Sequence, residues 1–245
     1  NFILTNTGGT DWLGMDDGTR EIPSMLKNTH GDIGRISSLD NDTPEELEEV
    51  LFVDRMARSF NNIMIPTPAE APLNSSLGIS VGNTVLLDPE QNNSIGYFGS
   101  LTWGQSYSLI ENGQIGRYKL VGALSEVEGL ESEFEGTGTK GSREISWGSI
   151  ANVAYKNKTL GQIKFSHMHT QSAEAMGQNL IGVRERDRST DRFETTVSKW
   201  VERSLNTYQI DGEHIISPLF NARLEWKLSQ STNFQDEPDQ RYFFN

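Results

Sequence analysis

The 245 residues contain no cysteine. Disulfide frameworks, thiol nucleophiles and Cys-ligated zinc or iron–sulfur centres are therefore excluded. Cationic side chains are also scarce, with 21 Lys and Arg against 34 Asp and Glu and a net charge of −13. That balance argues against a nucleic-acid partner, which calls for Lys and Arg clustered on one face. Hydrophobic residues make up 35% of the chain, and no run approaches the roughly 18 apolar residues of a transmembrane helix. A helical membrane span is excluded. A transmembrane β-barrel is not, because its strands bury only alternate residues and keep mean hydropathy low. There is no basic-plus-apolar signal segment at the N-terminus, no Gly-x-Ser-x-Gly, no His-Glu-x-x-His and no phosphate-cradling glycine loop. The expectation is a protein that is not an enzyme and carries no cofactor.

What is present divides near residue 72. Residues 1–72 are turn-rich, as in Thr7-Gly8-Gly9-Thr10 and Asp16-Asp17-Gly18, around one predicted helix near 44–59. Thr43 can cap that helix, Pro44 suits its first position and Glu46 completes a capping box. Leu47, Val50, Leu51 and Ala57 give it an apolar face, and Pro66 and Pro68 stop any helix beyond it.

From 73 to 245 the period changes from 3.6 to 2. Ala222, Leu224, Trp226 and Leu228 alternate with Arg223, Glu225, Lys227 and Ser229. Ile95, Tyr97, Leu101, Trp103 and Tyr107 face away from a Gly/Ser/Thr side, and Ile145, Trp147, Ala151, Val153 and Tyr155 repeat the pattern. Short turns are expected around 88–93, at 156–159 and near Asp211-Gly212, whereas the polar stretches Glu111–Arg143 and Ala173–Asp191 read as long loops. Short turns on one side and long loops on the other are the layout of an outer-membrane barrel. A soluble β-sandwich is the alternative, since alternation alone signals only a half-buried strand.

Several pieces resemble one family: Asp11-Trp12-Leu13-Gly14-Met15-Asp16-Asp17-Gly18-Thr19-Arg20-Glu21-Ile22-Pro23, Leu77-Gly78-Ile79-Ser80-Val81-Gly82-Asn83, Val201-Glu202-Arg203-Ser204-Leu205, Gly212-Glu213-His214 and Glu237-Pro238-Asp239-Gln240-Arg241. In order and spacing they are similar to the TonB-dependent outer-membrane receptors of the branch with a carboxypeptidase-like regulatory domain. The resemblance implies an all-β, antiparallel transmembrane barrel of about 22 strands closed around a plug, in the cell outer membrane, importing a nutrient. The partners it implies are the rest of the barrel and plug, the lipid bilayer, the inner-membrane energy-coupling complex and a surface lipoprotein lid. The chain holds about six such strands and looks like a fragment of that parent. A passive or structural outer-membrane barrel and a soluble β-rich binding module are the rival readings.

With short turns facing the periplasm, residues 1–72 fall in an extracellular loop segment that carries the helix, outside the plug. The lipid-facing expectation covers Ile95, Tyr97, Leu101, Trp103, Ile145, Trp147, Val153, Tyr155, Leu224, Trp226 and Leu228. Arg223, Glu225 and Lys227 are expected to face the lumen. Asp11, Asp16 and Asp17 are weak metal candidates, because their spacing misses the calcium-loop pattern and pairing with Arg20 explains them more simply. His167 and His169 share a strand face and are expected at a polar rim above the lipid belt.

Overall fold

The computed structural model describes residues 2–4, 7–27, 43–60, 66–90, 92–123, 126–186, 189–216 and 222–244. Alternation over many residues leaves the chain no option but long pleated strands, and six of them pair antiparallel in chain order. They follow a two-stranded ribbon of β1 (Phe2–Leu4) and β2 (Thr67–Ala69), the short helix α1 (Ser24–Lys27) and α2 (Pro44–Arg58). The large sheet is β3 (Ser75–Leu86), β4 (Asn93–Ala123), β5 (Glu126–Asn157), β6 (Gly161–Arg186), β7 (Ser189–Ile216) and β8 (Ala222–Phe244). The sheet is open, with β3 and β8 as its edges. Helix α2 occupies the span expected of it, and the Leu47 N–H donates to the Thr43 carbonyl at 3.0 Å.

Two expectations are corrected. The polar stretches Glu111–Arg143 and Ala173–Asp191 are largely strand: β4 and β5 stay paired up to Ala123↔Glu126, and β6 and β7 up to Arg186↔Ser189. Polar composition does not end a ladder whose backbone groups continue to find partners. Asp211-Gly212 is not a turn either, since Asp211 pairs with Lys227 and Gly212 with Trp226. Glycine is there for room, because a Cβ on Gly212 would lie 2.5 Å from the Trp226 ring.

Short turns are present at 88–90, between β3 and β4, and at 158–160, between β5 and β6. Asp88 accepts the Asn93 N–H and side-chain amide, both at 3.0 Å. Asn157 Oδ1 accepts the N–H groups of Thr159 and Leu160 at 2.9 and 2.8 Å.

Continuous register joins the strands into cross-strand rows. One row near the short turns reads Val85, Ile95, Tyr155, Ile163, Gly212, Trp226. Another, farther up, reads Leu77, Trp103, Trp147, Gln171, Ser204, Phe234. Both belong to one aromatic and aliphatic face. The other face is mostly Gly, Ser, Thr and charged side chains. Among the described residues few side chains are shielded, and the buried apolar cluster is Ile145, Ala173 and Trp200.

Gly161 opens β6 with φ of 114°, where a Cβ would lie 1.9 Å from the Glu213 carbonyl oxygen. Gly161→Ala should destabilise the sheet by at least about 1–3 kcal/mol, the scale of one residue held in a disfavoured conformation. Gly78→Ala meets only ordinary contact with Thr102 at 3.8 Å, and should change stability by no more than about 0.5 kcal/mol. Denaturation midpoints of the two variants provide the comparison.

Candidate functional site

Residues 7–27 form a clasp across the aromatic face. It begins with a 3-10 turn at Asp11–Leu13, ended by Gly14 in the left-handed conformation at φ 65°. Glycine serves twice there, since a Cβ would also come within 3.3 Å of the Ala173 backbone nitrogen. The turn presents three consecutive carbonyls to three consecutive strands. Trp103 Nε1 donates to the Trp12 carbonyl and Trp147 Nε1 to that of Leu13, each at 2.8 Å, and Gln171 Nε2 donates to that of Gly14 at 2.5 Å. The donors are neighbours in a single cross-strand row of β4, β5 and β6. On β7, Glu202 Oε2 accepts the Asp16 N–H at 2.6 Å.

Arg20 holds the clasp together. Its guanidinium makes a bidentate pair with Asp11, both bonds 2.8 Å, and adds Asp16 at 3.0 Å. It also stacks 3.9 Å over the Trp200 ring, with its side chain only 1% exposed. Planarity and a fixed fork let one arginine satisfy two carboxylates and an aromatic face together. Burial works against its charge, but the hydrogen bonds and charges of Asp11 and Asp16 outweigh that and raise its pKa above the ordinary value. Arg143 lies 3.9 Å from Asp11 and donates to Gln105 at 2.9 Å.

Asp17 has a separate role. It accepts the Gly9 N–H at 2.7 Å and both the N–H and the hydroxyl of Thr19. These bonds, the Thr19 hydroxyl first, hold its carboxyl below the ordinary value of 3.8. The three candidate metal ligands are thus engaged with Arg20, Thr19 and backbone. Among the described residues, no group of three or more His, Asp or Glu is arranged to hold a metal ion.

All eleven residues expected to face lipid lie on one face, although they do not share one environment. Tyr97, Leu101, Val153, Tyr155, Leu224, Trp226 and Leu228 are exposed and Ile95 half-buried. Trp103 and Trp147 are half-buried at the clasp edge, and Ile145, beyond that edge, is 1% exposed. Ala173 and Trp200 enclose Ile145 where the clasp crosses the sheet. Arg223, Glu225 and Lys227 occupy the opposite face in the open, Arg223 pairing with Glu213 at 3.1 Å and Glu225 at 2.6 Å.

His169 shares a 2.8 Å hydrogen bond with Asn206 and sits 4.7 Å from the Trp147 ring, while His167 stacks on Tyr208 at 4.6 Å. Both rows lie between the turns and the clasp. Sequence reasoning missed Gln171, Trp200, Glu202 and Arg143 as receivers of the clasp. The available signal was the polar Gln171 beside Trp147, with Arg143 and Glu202 on the same face just beyond it.

No family model matches this chain, and no curated protein matches it.

Removing Arg20 would leave Asp16 buried without its counter-charge and Asp11 with only Arg143 at 3.9 Å, a defect of about 3–5 kcal/mol. Arg20→Ala should therefore release the clasp and expose the indole N–H groups of Trp103 and Trp147 to rapid exchange. Arg20→Lys should rescue little, as a point charge cannot reproduce the fork and the stacking. Acid should loosen the turn as well. A carboxyl with a lowered folded pKa contributes stability that is present above the unfolded value and lost as pH falls through the folded one. The Gly9 amide, followed by NMR, should lose protection below pH 3.8 but not between neutrality and that value.

Proposed function

We propose that this chain is part of the wall of an outer-membrane barrel of the TonB-dependent receptor type, a non-enzymatic importer that binds a nutrient outside the cell and passes it through a plugged barrel. In this reading β3 to β8 are six of about 22 strands, and the remaining strands pair with the two open edges. The plug, the inner-membrane energy-coupling complex and a surface lipoprotein lid are partners of that whole receptor. The family pieces quoted above point to this class.

One observation carries the reading: the height of the bare apolar face. Ten residues separate Asn93 from Trp103, Asn157 from Trp147 and Gly161 from Gln171, so on three strands the short turns and the clasp bound an equal interval. At about 3.3 Å per residue and a strand tilt near 40°, ten residues rise about 25 Å, the height of the outward apolar band of outer-membrane barrels. Within that interval lie the exposed Tyr97, Leu101, Val153, Tyr155, Ile163 and Phe165, with Tyr208 and Ile210 on β7. An exposed apolar surface of this extent signals a nonaqueous partner. The reverse face, with Asp211 opposite Lys227 and Glu213 beside Arg223, suits a hydrated lumen. Short turns then lie on the periplasmic side and the clasp on the extracellular side, in accord with residues 1–72 as an outer loop segment.

Val153 stands four residues from Asn157 and six from Trp147, near the middle of the interval. Val153→Arg should cost about 2–4 kcal/mol in reversible unfolding into lipid, the scale for a cation at the bilayer midplane, and Lys227→Gln should cost little. The absence of native cysteine makes single spin labels direct. Labels at Tyr97, Val153 and Leu228 should be shielded from aqueous quenchers, and shielding at Arg223 and Lys227 instead would overturn the assignment.

A further inference from the structure

We infer that the clasp is itself a lipid-contacting element, with Trp12 and Ile22 seated in the outer headgroup region beside Trp103 and Trp147. This rests on the membrane reading above and adds to it a binding surface outside the barrel strands.

The argument starts from the side chains that the clasp turns outward. Trp12 is 54% exposed and Ile22 51%, although the backbone around Trp12 is fixed to the sheet through the Trp103 indole. A large aromatic left half in the open on a rigid turn gains nothing from water. Its level in the fold supplies the reason. The Trp12 carbonyl meets Trp103, and the next carbonyl meets Trp147, so three tryptophans gather at the upper limit of the ten-residue interval. Indole rings concentrate where apolar chains give way to headgroups, because the ring is apolar and its N–H needs a polar partner. For Trp103 and Trp147 that partner is the clasp backbone, and the ring of Trp12 is left to the surroundings.

Charge does not oppose this position. Asp11 and Asp16 share Arg20, all three side chains between 1% and 8% exposed, and Arg143 lies 3.9 Å from Asp11 as the second cation. Glu21 beside Ile22 is paired with Lys27 at 2.6 Å. Asp17 belongs to the Gly8-Gly9 side of the clasp, bonded to the Gly9 N–H. The acidic motif therefore offers the interface two apolar side chains backed by an internally paired ion cluster. The partner is a bilayer surface, met through its headgroup–acyl boundary.

Tryptophan fluorescence of the intact protein in phosphatidylcholine vesicles tests the inference. The lipid is brominated either just below the headgroup or near the chain end, and wild type is compared with Trp12→Phe and Trp226→Phe. Trp12→Phe should lose part of the quenching by the shallow bromines and none of that by the deep ones. A spin label at Ile22→Cys should report the same shallow depth, independently of any tryptophan. If Trp226→Phe lowers bromine quenching while Trp12→Phe does not, and the Ile22 label is fully open to aqueous quenchers, the clasp points into water and this inference falls with the barrel reading intact. Lipid quenching indifferent to Trp12 and Trp226 alike would overturn both.

Discussion

Everything in this molecule depends on a two-residue period carried across six strands without a slip from the short turns to the clasp. A shift of one residue in any ladder would send every side chain beyond it to the other face, and the separation of Trp, Tyr and Leu from Gly, Ser and charge would be lost. The register is continuous from the short turns to the clasp in all five pairings. Irregularities appear only at or above the clasp, at Ile110/Gly113, Arg117/Tyr118 and Val121/Gly122 between β4 and β5, and at Trp200/Glu202 between β7 and β8. Tolerance of bulges thus begins where the clean two-faced interval ends.

The clasp obeys different physics. Its contacts are polar and directional: backbone carbonyls receiving side-chain N–H groups, and a carboxylate pair gripping one guanidinium. Such contacts add little net stability individually, but they fix position, and the cost of leaving Asp11 or Arg20 unpaired makes the arrangement all-or-none. The Arg20 stack on Trp200 ties this polar cluster to the buried patch of Ile145 and Ala173, which a sheet with two open faces would otherwise lack.

What could be read from sequence was what is local. Thr43-Pro44 marked the start of α2, alternation in 222–230 assigned its faces, and the spacing of Asp11, Asp16 and Arg20 suggested their pairing. What could not be read depends on chain brought from far away. Ile145 has the same alternation as Val153, and only the passage of a segment more than a hundred residues upstream separates a covered isoleucine from an exposed valine. Gly212 looked like a turn because Asp-Gly commonly is one, whereas its role is to admit the ring of Trp226 from the next strand. The polar runs beyond Glu111 and Ala173 resembled loops because composition says nothing about a neighbouring strand already waiting to pair.

The strands pair in chain order, each with the one just made, so the sheet can grow hairpin by hairpin with small loop-closure cost at each step. The clasp cannot form that way. It precedes β4 to β7 in sequence, yet its bond from Asp16 to Glu202 closes a separation of 186 residues and requires β4, β5, β6 and β7 to lie side by side. A segment that precedes every strand it grips and completes its docking only when β7 arrives is a late-locking latch: made ahead of those strands, secured after them, and in place only on a sheet whose strands have been laid down in the correct sequence.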